Sequence, residues 1–248
     1  MIVIKTASEL DAMRRVNQMT ARVRDALANH VQPGITTLEL GNLAQKMIRD
    51  MGGTSAFYGY HGFPGQVCTS VNDEVVHGIP GHRVLKEGDI VSIDTGVCFE
   101  GFIGDTAITV AVGEIDGEKQ RLMDVTQASL DAGIAKAVEG NRVGDISNAI
   151  QTVVEEAGFS VVRDFVGHGI GKDMHEDPQI PNFGKPGRGP KLKAGMTLAI
   201  EPMVNLGKNK VRILDDKWTV VAKDGSPSAH FEHTVAVGKI TPEILTLT

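Results

Sequence analysis

The chain has 248 residues, 41% of them hydrophobic, and a formal net charge of −6 at pH 7. That length can bury a large core and fits one large domain or two fused halves. Acidic and basic residues are mixed throughout, without a basic block or a run of about 20 apolar residues, which argues against specific nucleic-acid binding and against a membrane span.

The opening stretch, MIVIKTASEL, has too short an apolar run for a signal peptide. The two cysteines, Cys68 and Cys98, lack CxxC spacing and read as reduced thiols of a cytoplasmic protein. From Ser8 to Val31 the apolar positions Met13, Val16, Val23, Leu27 and Val31 predict one helical face, with Ser8 and Asp11 as its N-terminal cap. QPG breaks the chain. A second helix follows, with Leu40, Leu43, Met47, Ile48 and Met51 on one face, and stops at Gly52-Gly53. Strand-like segments run to about Gly113. The pattern then restarts. A helix covers roughly Glu118 to Val138, Gly140 breaks it, and a helix bearing Ile146, Ile150, Val153 and Val154 stops at Gly158 before further strands.

The two passes align. Gly34, Glu39, Leu40, Asn42 and Gly52 match Gly140, Asp145, Ile146, Asn148 and Gly158 at an offset of 106. YHG at 60–62 matches GHG at 167–169, setting His61 against His168. KEGDIVSID at 86–94 matches KAGMTLAIE at 193–201, setting Asp94 against Glu201. A helix-helix-sheet unit therefore occurs twice, and two such units predict an α+β body with sheets inside and helices outside. The expected division is a single domain, 1–248, with internal halves of about 1–115 and 116–248.

Two apolar strands surround Glu100-Gly101, and each carries an aspartate where a core side chain is expected, Asp94 and Asp105. Burying an unpaired carboxylate is costly. With Glu100-Gly101 as a two-residue turn, opposed positions sum to 201, so Asp105 faces Gly96 and Asp94 lies two residues along the same face. A one-residue slip would separate them, so parity alone leaves convergence open. The second half repeats the arrangement. Glu201 ends an apolar run, and Glu232 starts a strand much as Asp105 starts DTAITVAVG, with an excursion at 207–228 between them. His168, in VGHGIG, adds a nitrogen. Four crowded carboxylates repel, and two divalent cations would neutralise them. The oxygen-rich set with one imidazole suits Mn, Fe, Co or Zn, and two such ions with a water make a hydrolytic centre. GHGIGKD lacks both the Ser/Thr and the earlier glycine of a phosphate loop.

On Asp94, Asp105, His168, Glu201 and Glu232, and on the stretches YHGFPGQVCTSVNDEVVHGIP, GDIVSIDTGV, GFIGDTAITV, GHGIGKDMHEDPQIP, AGMTLAIEPM and DDKWTVVAKDGSPSAHFEHTV, the sequence resembles type I methionine aminopeptidases across nearly its whole length. The resemblance implies the pita-bread fold, two pseudo-symmetric halves with helices outside a central antiparallel sheet. It implies two divalent metal ions, Co, Mn, Fe, Zn or Ni, with Asp94 chelating one, Asp105 and Glu232 bridging, and His168 and Glu201 completing the other. Glu201 would also be the general base, His175 would donate to the scissile carbonyl, and His77 would touch the substrate backbone and aid proton transfer. Tyr60, Phe63, Cys68 and Trp218 would wall the methionine pocket, with Phe57 and Met174 nearby. Asn72 and Ser228, with the Glu74 carbonyl, resemble parts of a site for one monovalent cation. The implied partners are nascent polypeptide N-termini, with ribosome association and a monomeric state. Two other readings compete. One is a proline-directed peptidase of the same fold, whose large N-terminal domain this chain lacks. The other is a non-catalytic binding protein of the same fold. His30, His61, His82, His230 and His233 receive no catalytic role.

Overall fold

The computed structural model describes residues 1–248. Four helices, α1 (Ala7–His30), α2 (Thr37–Asp50), α3 (Gly117–Ile134) and α4 (Val143–Glu156), lie against one nine-stranded sheet. The cap of α1 lies earlier than Ser8 and Asp11: the Thr6 hydroxyl accepts from the Glu9 N–H while the Glu9 carboxylate accepts from the Thr6 N–H. Thr36 and Glu39 repeat this box on α2. At the matching place of the second half, the Asp145 carboxylate accepts from the Arg142 N–H. The helix ends repeat too. Gly52 (φ +81°) and Gly158 (φ +83°) both adopt the left-handed conformation that closes a helix. The third helix ends at Ile134, four residues short of the sequence expectation.

Seven strands carry the main sheet: β1 (Cys68–Val71), β2 (Ile90–Phe99), β3 (Phe102–Ala111), β4 (Val166–Gly169), β5 (Glu176–Pro181), β6 (Thr197–Ile200) and β7 (Glu232–Ala236). Their order is β1-β2-β3-β7-β6-β4-β5, antiparallel throughout, with Thr54–Ser55 also on β2 and Glu243–Ile244 on β7. The hairpin of the first half therefore meets β7 of the second half at the β3–β7 seam, where Ala107 pairs with Glu232 and Thr106 with His233. The excursion before β7 holds a small hairpin, Val211–Ile213 with Val220–Ala222, which pairs with Glu74–Val76.

Each helix pair seals its own part of the sheet. Met13, Val16, Val23, Leu27, Leu40 and Ile48 pack with Val91, Ile93 and Val97. Leu122, Leu130, Ile146 and Ile150 pack with Leu198, Ile200 and Val235. Burying each such side chain contributes about 1.5–3 kcal/mol. The helix-facing odd positions of β2 leave Asp94 and Gly96 on the other face, because strand side chains alternate. Close approach of α1 to that sheet needs Gly104, where a Cβ would sit 2.4 Å from Thr20 Oγ1.

Candidate metal centre and active site

The turn at Glu100 (φ +51°) and Gly101 (φ +78°) sets the register of β2 and β3, pairing Gly96 with Asp105 and Asp94 with Ala107. Strand pairing then lays the acidic residues out in two neighbouring rows on one face. The first row runs Cys68, Asp94, Ala107, Glu232, through the cross-strand pairs Cys68–Asp94, Asp94–Ala107 and Ala107–Glu232. Glu201, one residue past β6, extends it, since His233 pairs with Ile200. The second row contains Gly96 and Asp105, then Thr234, Ala199 and His168. Thr234 joins the two segments by donating its hydroxyl to the Asp105 carbonyl at 2.8 Å. Small residues, Gly96, Ala107 and Ala199, separate the functional ones and leave space above the sheet. Asp105 is the fourth residue of its strand rather than the first. It falls in line with His168, while Glu232 falls in line with Asp94.

One cavity of roughly 230 Å³ lies over these rows. It is lined by Asp94, Asp105, His168, Glu201 and Glu232, by His77 and His175, and by Tyr60, Phe63, Cys68 and Trp218. Phe57, Met174 and His61 complete the lining. Trp218 reaches it from the 207–228 excursion, edge-on to Phe63 with ring centroids 5.2 Å apart. Phe57 lies over Gly96, where a Cβ would come within 2.5 Å of its ring. The repeat alignment of His61 with His168 is not matched by local structure: His61 sits in a short 3₁₀ turn at φ +46°, His168 in β4.

The cavity floor calls for a cation. Asp94 Oδ1, Asp105 Oδ1 and Glu232 Oε1 are buried and accept no hydrogen bond from the protein. Burial pushes the Asp94 carboxyl up to about 7. Burial, reinforced by neighbouring carboxylates, holds Asp105, Glu201 and Glu232 well above the usual range. His168 Nδ1 lies 2.9 Å from the Gly169 carbonyl and must donate to it. That leaves Nε2 as a lone pair, 3.9 Å from Asp105 Oδ2 and 3.5 Å from Glu201 Oε1. Burial lowers the His168 pKa to about 4, so the imidazole is neutral. Ligand atoms of Asp105, His168 and Glu232 thus converge within 4.8 Å of one another. A divalent cation with oxygen-rich coordination satisfies all of them.

His175 immediately precedes β5, and its ring packs edge-on to His168 at 4.4 Å between centroids. Its Nδ1 lies 2.7 Å from Tyr60 Oη. Burial lowers the His175 pKa, and burial raises that of Tyr60. Both groups are thus neutral, and the tautomer in which the phenol donates to Nδ1 is the one that leaves Nε2–H as the free donor of His175. Tyr60 thus anchors a histidine as well as forming a wall. His77 adopts φ +60° after the Glu74–Val76 strand, and its ring stands edge-on to Phe165 at 5.6 Å.

Asn72 and Ser228 meet, but outside this cavity. Ser228 donates its N–H to the Asn72 carbonyl at 2.8 Å. The Asn72 amide group donates to Asp89 and its oxygen accepts from Ile90 N–H. These atoms are paired within the protein. One residue that sequence reasoning passed over adjoins Glu201: His230 is 2% exposed, with Nε2 unpaired and 3.8 Å from Glu201 Oε2. Asn182 likewise donates to the Glu201 carbonyl at 3.0 Å. His230 ends the strand Ser228–His230 and Glu232 opens β7 two residues later, and this closeness in sequence is the one signal that could have pointed to it.

The profile of metallopeptidase family M24 matches residues 11–239. The chain is 55% identical to a methionine aminopeptidase of Clostridium perfringens over 247 residues, 100% of this chain and 99% of that one. It is 52% identical to methionine aminopeptidase 1 of Bacillus subtilis over 246 residues, 99% of each. The crystal structure of a methionine aminopeptidase from Rickettsia prowazekii superimposes with a TM-score of 0.98 at 42% identity, covering both chains in full. An Xaa-Pro dipeptidase from Bacillus anthracis superimposes with a TM-score of 0.79 at 20% identity over 99% of this chain and 62% of that one, a likeness of fold alone.

Proposed function

The chain belongs to metallopeptidase family M24 and has the pita-bread fold, and we propose that it is a methionyl aminopeptidase that removes methionine from the N-termini of nascent polypeptides when the second residue is small. The observation that carries this reading is the single cavity in which an acidic, ligand-ready floor adjoins an apolar wall.

Asp94, Asp105, His168, Glu201 and Glu232 would hold two divalent ions, of Co, Mn, Fe, Zn or Ni. Such ions supply Lewis-acid polarisation of the peptide carbonyl and a water nucleophile at neutral pH. Glu201 accepts the proton of the attacking water. His175 donates its Nε2–H to the carbonyl oxygen as negative charge develops there, with Tyr60 fixing the tautomer. His77, neutral because burial lowers its pKa to about 4, contacts the substrate backbone and helps move the proton to the leaving amine. Phe57, Phe63, Cys68, Met174 and Trp218 enclose the first side chain, and a flexible thioether fills such an apolar slot well.

The test is peptide discrimination. Met-Ala-Ser should be cleaved in preference to Leu-Ala-Ser, and Met-Leu-Ser much more slowly. One methylene of pocket fit is worth only about 1–3 kcal/mol, so norleucine should be accepted in part. An X-Pro peptide cleaved faster than Met-Ala-Ser would reassign the chain to proline-directed chemistry. No cleavage by metal-loaded protein would favour a binding role.

A further inference from the structure

The loop that joins β4 to β5 and ends in His175 is clamped by the N-terminal arm. Lys5 Nζ lies 2.5 Å from Glu176 Oε2, and the two side chains are only 3% and 8% exposed. Glu176 is the first residue of β5, pairs with Gly169 across the hairpin, and directly follows His175. Its other oxygen, Oε1, accepts from the Lys172 N–H at 3.1 Å, so one carboxylate ties the start of the loop to its end. Lys5 is itself fixed, because its N–H donates to the Gly195 carbonyl at 2.9 Å, on the approach to β6. The loop is shaped around the pair. A Cβ at Gly171 would lie 2.3 Å from Glu176 Oε1 and 2.9 Å from Lys5 Nζ.

A buried ion pair is a poor source of stability, since desolvation offsets most of its attraction and an apolar pair often serves as well. Its location says more. It holds the residue next to His175, whereas the His175 ring has one side-chain hydrogen bond, from Tyr60. We propose that Lys5 and Glu176 are positioning residues that set the backbone of His175, so that its Nε2–H meets the developing charge of the scissile carbonyl. The inference rests on the assignment of His175 as that donor. The arm thereby acts on catalysis without touching the substrate.

The experiment compares Lys5→Met, Glu176→Gln and their combination in two backgrounds, with His175 intact and with His175→Ala. Steady-state release of methionine, bound metal and the thermal midpoint are measured for each. With His175 intact, Lys5→Met should lower kcat about 10–100-fold, as misplacement by about an ångström does, while KM and metal content change little. In the His175→Ala background the same substitution should cost nothing further, because coupled residues are not additive. In metal-free protein the imidazole nitrogen shifts of His175 should move in Lys5→Met. If Lys5→Met does not fold, the combined variant, which leaves no lone buried charge, carries the same expectations. Unchanged kcat in a folded variant, or an equal loss in both backgrounds, would overturn the inference and leave His175 in its role. Full activity of His175→Ala would instead remove the donor assignment, and this inference with it.

Discussion

Replacing Asp94 by Asn should stabilise the metal-free protein and reduce the stabilisation that bound metal confers. Burial lifts the Asp94 carboxyl from an ordinary 3.8 to about 7. Between those values the folded chain holds a proton that the unfolded chain has released. Stability therefore falls as pH rises through this window, and the loss is complete above the folded value. A difference of about 3 at 1.36 kcal/mol each amounts to about 4 kcal/mol. Asp105, Glu201 and Glu232 share the same field, so the measured gain of Asp94→Asn should be nearer 2–4 kcal/mol at about pH 8.5 and vanish toward about pH 4. Urea unfolding in the presence of a chelator, repeated across that range, measures it. With a divalent ion at about 100 times its Kd, wild type should gain about 2.7 kcal/mol, and the variant, short of one ligand, less. The gap between the two proteins therefore narrows as metal binds. If Asp94→Asn is no more stable than wild type in chelator at alkaline pH, the acidic floor is not under the electrostatic load described here.

Other outcomes follow from single residues. His168→Ala should lose bound metal and activity together, whereas His175→Ala should keep its metal and lose about 10²–10³ in kcat, and elemental analysis beside kinetics separates the two. Tyr60→Phe removes the hydroxyl on His175 Nδ1. It should lower kcat about tenfold or more without loss of metal, and an unchanged kcat would contradict the tautomer assignment. Gly96→Ala drives a methyl into the Phe57 ring. It should cost about 1–3 kcal/mol of stability and weaken kcat/KM for methionine peptides, and an unshifted unfolding midpoint would refute the contact.

Features written in local chemistry were legible in the sequence. The Glu100-Gly101 turn has positive φ at both residues, so it permits one register, and the facing of Asp105 by Gly96 follows. The four helices show as apolar stripes, and the doubling shows because glycines at helix ends recur where the backbone must turn left-handed. What escaped was long-range. Tyr60 meets His175 across 115 positions and Lys5 meets Glu176 across 171, and neither contact leaves a periodic trace. The cap of α1 was misplaced by two residues because Thr6 precedes the apolar stripe that marked the helix. His230 received no role from the sequence, since only three-dimensional pairing of its strand carries it to Glu201. Asn72 and Ser228, far apart in sequence, meet where the Ser228 N–H donates to the Asn72 carbonyl.

The central claim is that the rows of carboxylates and His168 exist to hold the metal that makes this chain an aminopeptidase. The direct measurement is release of methionine from Met-Ala-Ser by chelated protein as divalent ion is added back stepwise, with bound metal counted at each point. Metal-free protein should be silent and its activity should rise with the ions bound, while a Glu232→Gln variant should recover neither full metal binding nor activity. Undiminished release from protein shown to carry no metal, or full release by the variant, would contradict it.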